Sequence, residues 1–83
     1  MNEADSERVL IRIIRNYTNK GAEAIKRTAS LREDLGLSSF DMIALSTEIE
    51  DSFSINIDNI DVLAEIDTFG DLVNLLTEKI AES

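Results

Sequence analysis

No cysteine occurs anywhere in these 83 residues. A chain this short lies near the lower size at which packing alone sustains a fold. It has no disulfide and no thiolate metal site to staple it. Buried apolar side chains must therefore hold it together. There are three Phe, one Tyr and no Trp, so that core must be built from Ile, Leu and Val. A single domain over residues 1–83 is expected. With no proline and only three glycines, a collagen-like or low-complexity chain is excluded. No apolar run approaches the ~20 residues of a membrane span.

The spacing of the aliphatic residues sets the fold class. Val9, Leu10, Ile13, Ile14 and Tyr17 recur with helical period and leave one wet face, which predicts a first helix over about residues 3–17. Residues 18–38 have weak periodicity, with one turn of helix possible at 22–25. A loop this long is pinned by buried side chains or is functional, and Leu31, Leu35 and Leu37 are the expected pins. A second helix is predicted over about residues 39–51. Ser38 and Asp41 supply a capping pair at its start. Met42, Leu45, Ile49 and Phe53 form its buried stripe, with Ile43 and Ser46 beside it. Phe53, Ile55 and Ile57 alternate with polar residues, but one short strand without a partner is unstable, so an extended connector is expected. A short helix should follow over residues 60–66. The last helix opens at Thr68, with Asp71 three residues on. The expected architecture is all-α: a four-helix bundle with three longer helices, a short third one and a long loop between the first two.

Charge is unevenly shared. Residues 1–32 hold seven basic and four acidic side chains, whereas residues 33–83 hold one basic and thirteen acidic. The net charge of −9 disfavours nucleic acid and anionic membrane and attracts basic protein surfaces. The opening residues MNEADSER are polar and acidic, unlike a secretory signal, and the expected location is the cytoplasm.

The residue inventory argues against catalysis. Without His or Cys, neither a Ser–His nor a Cys–His nucleophile can be assembled. No glycine-rich phosphate cradle occurs. The Asp- and Asn-rich stretch 51–61 lacks the central Gly and closing Glu of a calcium loop, so no metal is expected. The chain reads as a non-enzyme.

One stretch carries specific information: Glu33-Asp34-Leu35-Gly36-Leu37-Ser38-Ser39-Phe40-Asp41. It resembles the attachment motif of acyl carrier and peptidyl carrier proteins, D-x-G-x-D-S followed by Leu or Phe. Asp34, Gly36, Ser39 and Phe40 match it. The resemblance continues through Ile49-Glu50-Asp51-Ser52-Phe53, Ile55, Ile57 and Thr68-Phe69, covering about residues 5–80. It implies that a phosphopantetheinyl transferase joins 4′-phosphopantetheine to the Ser39 hydroxyl. It also implies an acyl or aminoacyl thioester cargo, a loading ligase and downstream synthases with basic docking surfaces. The docking side would be Phe40, Asp41, Ala44, Thr47, Glu48 and Asp51. An acyl chain would lie among Leu45, Ser46, Ile49, Val62, Leu63 and Ile66. A monomer is expected, and three departures point to a specialised carrier. Ser38 replaces the Asp before the attachment serine, Ala44 replaces a common acid, and Asp58 replaces the usual Pro. Fatty-acid, polyketide and aminoacyl or D-alanyl carriage all remain open, as does a helical interaction module without an arm.

Overall fold

The computed structural model describes residues 3–57 and 64–82. Among the described residues three named α-helices run in chain order: α1, Glu3–Ile14; α2, Ser39–Phe53; and α3, Phe69–Glu82. A 3-10 turn, Ala22–Ala24, interrupts the long first connection. The chain is all-helical, as its periodicity predicts. Most of the short helix expected over residues 60–66 lies outside the described residues, although Ala64 and Glu65 are helical. Among the described residues no helix is long and apolar enough to cross a membrane.

Each helix buries the stripe its spacing defines. Leu10, Ile13 and Ile14 of α1 meet Met42, Leu45 and Ile49 of α2 and Phe69, Leu72, Val73 and Leu76 of α3 in one core. Phe69, Leu10 and Ile14 are entirely removed from solvent, and each contributes roughly 1.5–3 kcal/mol by leaving water. Helix α1 stops three residues earlier than its apolar pattern. Its end tightens instead: the N–H groups of Asn16 and Tyr17 reach back only three residues, to the Ile13 and Ile14 carbonyls at 3.1 and 2.9 Å. Such 3-10 closure satisfies carbonyls that the helix end would orphan. Helix α2 instead runs two residues beyond its expected end. Ser54 then takes a left-handed conformation, φ 53°. The Ile55 N–H bonds the Glu50 carbonyl at 3.2 Å, a Schellman-like stop.

The long connection is pinned as the sequence suggests. Leu31, Leu35 and Leu37 are buried, and Ile25 and Ala29 join them. It is also tied by backbone bonds that side-chain patterns do not report. The Leu31 N–H bonds the Asp67 carbonyl at 2.8 Å, Phe69 N–H the Ala29 carbonyl at 2.9 Å, and Gly70 N–H the Arg27 carbonyl at 2.9 Å. The connection is thus moored to the start of α3. After α2, residues 55–57 are neither helical nor paired as a strand. Ile55 points into the core, and Ile57 N–H is bound by the Glu50 carboxylate at 3.1 Å.

Candidate functional site

The start of α2 is assembled from a turn that its own residues hold. The Asp34 carboxylate accepts the Ser30 N–H at 2.7 Å, and the Ser30 hydroxyl accepts the Glu33 N–H at 3.1 Å. Residues 30–34 are thereby closed on themselves, and burial of Leu35 and Leu37 presses the turn onto the core. Between those two leucines Gly36 takes φ +71°, a region that costs a residue with a Cβ. The space where a Cβ would stand is open, with nothing within 4 Å. Backbone torsion, rather than crowding, therefore calls for glycine here.

The chain then enters α2 through a reciprocal cap. Ser38 Oγ accepts the Asp41 N–H at 3.1 Å, and Asp41 Oδ2 accepts the Ser38 N–H at 2.9 Å. Ser38 thus does the capping that an Asp at this position could do, without adding its charge. Ser39 takes no part in the cap. It is the first helical residue and is exposed. The helix ladder starts with the Met42 N–H bonding the Ser38 carbonyl at 3.0 Å. The N–H groups of Ser39 and Phe40 precede it, at the positive end of the helix. An exposed hydroxyl beside such donors suits a phosphate ester, whose oxygens would be hydrogen-bonded as they form.

Of the residues expected on the outer side of α2, Phe40 is 86% exposed, while Ala44, Thr47 and Asp51 are also exposed and Asp41 and Glu48 are half-buried. Ile43 belongs beside them. It was expected next to the buried stripe, yet 46% of it is exposed. Met42, Leu45 and Ile49 occupy the inward arc, and one residue past Met42 the helix has turned by about 100°. Phe40 and Ile43, three positions apart, therefore form an apolar outer patch beside Ser39. Glu48 is not simply solvated: it accepts the Tyr17 hydroxyl at 3.0 Å. That bond, with smaller effects of desolvation and of repulsion by the Glu48 and Asp41 charges, raises the Tyr17 phenol above its usual pKa.

A family profile described as "Phosphopantetheine attachment site" matches residues 8–76, a span that contains this whole assembly. The chain belongs to that family. Its members carry 4′-phosphopantetheine as a covalently attached cofactor. "Acyl carrier protein 3" of Ralstonia nicotianae is 36% identical over 69 residues, which cover 83% of this chain and 78% of the relative. The acyl carrier protein of Caulobacter vibrioides is 34% identical over 70 residues, 84% of this chain and 88% of the relative. A crystal structure of an acyl carrier protein from Thermotoga maritima superposes with a TM-score of 0.81, covering 99% of this chain and 94% of that one. At 24% sequence identity that likeness speaks to the fold, which is the fold of acyl carrier proteins.

For a member of this carrier family, the interior between α2 and α3 bears on cargo. Leu45, Ser46 and Ile49, three of the residues expected to line an acyl space, come together there with Met42, Ile57 and Leu72. They border a narrow gap of about 190 Å³ that is partly open to solvent and nowhere wide enough for a water molecule. Ser46 is buried, and its hydroxyl is satisfied within its own helix, donating to the Ile43 carbonyl at 2.7 Å. Ile66 is also buried but borders a different groove along α3, with Asn74, Leu75 and Glu78. Val62 and Leu63 lie outside the described residues.

Proposed function

We propose that Ser39 bears the 4′-phosphopantetheine arm and that the chain ferries a thioester-linked acyl or aminoacyl group between enzymes without catalysing a step itself. The observation that carries this reading is the exposed Ser39 at the first position of α2, clear of the Ser38–Asp41 cap and preceded by the Gly36 turn. In the loading step the Ser39 oxygen would form a phosphodiester and give up its proton. The anhydride bond of coenzyme A would break, and adenosine bisphosphate would leave. The arm supplies the thiol that a cysteine-free chain lacks. The N–H groups of Ser39 and Phe40 would neutralise part of the phosphate charge. Phe40, Asp41, Ala44, Thr47, Glu48 and Asp51, with Ile43 added, would face a phosphopantetheinyl transferase, a loading ligase and synthases that present basic surfaces around an apolar recess.

The remaining finer features belong to the same reading. The chain is a single domain over 1–83, a short helix over 60–66 completes a four-helix bundle, and the protein works as a cytoplasmic monomer in fatty-acid, polyketide or related synthesis. The narrowness of the gap between Leu45, Ser46 and Ile49 favours a second version in which the cargo is short, an aminoacyl or D-alanyl group among the choices. The deciding experiment is intact mass after incubation with coenzyme A and a broad-specificity transferase. A gain of about 340 Da, the mass of the arm, is expected. Ser39→Ala should abolish it, while Ser38→Ala should retain it. No gain with several transferases would leave a helical interaction module instead.

A further inference from the structure

Two consecutive residues in the turn just past α1 grip the two sides of the Ser39 junction. The Thr18 hydroxyl donates to the Leu35 carbonyl at 2.7 Å, inside the turn that leads to α2. The Tyr17 hydroxyl donates to Glu48 Oε1 at 3.0 Å, on α2 itself. Asp34 closes the turn onto itself by accepting the Ser30 N–H. The far end of the turn is tied to the approach to α3, where the Ser30 hydroxyl donates to Asp67 Oδ1 at 3.3 Å and the Leu31 N–H bonds the Asp67 carbonyl at 2.8 Å. The Thr18 bond acts at the near end, beside Gly36. Burial of Leu35 and Leu37 sets the depth of the turn, but apolar contact is non-directional. The bonds from Tyr17 and Thr18 are directional, and they start from neighbouring residues, so the turn and α2 are referred to one point. That point is itself fixed, because the Tyr17 and Thr18 N–H groups both bond the Ile14 carbonyl, at 2.9 and 3.2 Å. Between the two grips lies Gly36, whose missing side chain leaves the turn open to rearrangement.

We infer that Tyr17 and Thr18 are positioning residues for the attachment reaction: Thr18 orients the turn that presents Ser39, and Tyr17 presents the Glu48 carboxylate to the partner enzyme. The inference rests on Ser39 being the attachment point. The two residues have separable roles. Thr18 acts on the geometry of the reacting hydroxyl and so belongs to kcat. Tyr17 acts on docking and so belongs to KM.

The test compares Thr18→Val, Thr18→Ser and Tyr17→Phe in transferase kinetics with coenzyme A. Thr18→Val keeps the shape and removes the donor, and should lower kcat about threefold to tenfold with KM little changed. Thr18→Ser should restore it. Tyr17→Phe should raise KM by a similar factor at low salt, with kcat retained. Backbone amide exchange at residues 36–39 should quicken in Thr18→Val and not in Thr18→Ser. Wild-type kinetic constants in both Thr18→Val and Tyr17→Phe would overturn the inference. If Thr18→Val fails to fold, Tyr17→Phe decides alone, and a wild-type KM overturns it. If the wild-type chain gains no arm, the attachment reading fails by itself. Amide exchange then decides the brace, and unchanged exchange at 36–39 in Thr18→Val refutes it.

Discussion

Helices α2 and α3 open with the same local chemistry and opposite surroundings. Ser38-Ser39-Phe40-Asp41 and Thr68-Phe69-Gly70-Asp71 each make a reciprocal cap. In the second, Thr68 Oγ1 accepts the Asp71 N–H at 3.1 Å, and the Asp71 carboxylate accepts the Thr68 N–H at 3.1 Å. Between the capping pair of α2 both residues face outward: Ser39 is exposed and Phe40 is 86% exposed. Between the capping pair of α3 the same two positions lie against the rest of the protein. Phe69 is wholly buried, Gly70 lies against the Arg27 carbonyl, and Thr68 bridges Ser30. A capping box therefore marks a helix start and says nothing about reactivity. The adjoining residues decide whether the start is a mooring or a platform.

Substitutions of like residues near the two caps sharpen this contrast. The largest difference is expected at the two phenylalanines. Phe69→Ala should cost about 3–5 kcal/mol in urea unfolding. Phe40→Ala should leave stability within about 0.5 kcal/mol while weakening engagement of partner enzymes. Equal losses would erase the distinction. The glycines come next. A Cβ at Gly70 would stand 2.8 Å from the Arg27 carbonyl oxygen, so Gly70→Ala should cost about 1–3 kcal/mol by forcing the loop away. Gly36→Ala meets no atom and should cost only about 1 kcal/mol, from its positive φ. The smallest effect concerns pH. The backbone N–H of Thr68, then that of Asp67, hold the Asp71 carboxyl below its ordinary pKa. Its contribution is present above the unfolded-state value and disappears as pH falls through the lower folded-state value. Asp71→Asn should therefore flatten the acid limb of the urea midpoint plotted against pH; an unchanged limb would show that the cap carries no linkage.

Much of this was legible in the sequence, and the reasons are specific. Helical period in Leu10, Ile13, Ile14 and in Met42, Leu45, Ile49 is a direct projection of geometry onto residue order. Ser38–Asp41 and Thr68–Asp71 announce their caps because the spacing is the bond. Leu31, Leu35 and Leu37 betray the pinned loop because apolar side chains in a polar stretch need a place to go. The mooring of 27–31 onto 67–70 was not legible, since backbone N–H and carbonyl groups are the same at every non-proline residue. Ile43 misled because an aliphatic residue at the edge of a buried arc looks like a core residue. The Tyr17–Glu48 bond spans 31 positions and has no local signature at all.

The tight seam beside Ser46 has a mechanical consequence. A hydrocarbon tail entering between α2 and α3 would find only a narrow gap among the described residues and would have to wedge apart Leu45, Ile49 and Leu72. The work of wedging rises with every methylene admitted, and the same work is handed back when the tail is withdrawn. A carrier built this way would take up a long load against growing resistance, like a spring-loaded clip, and a short one without it.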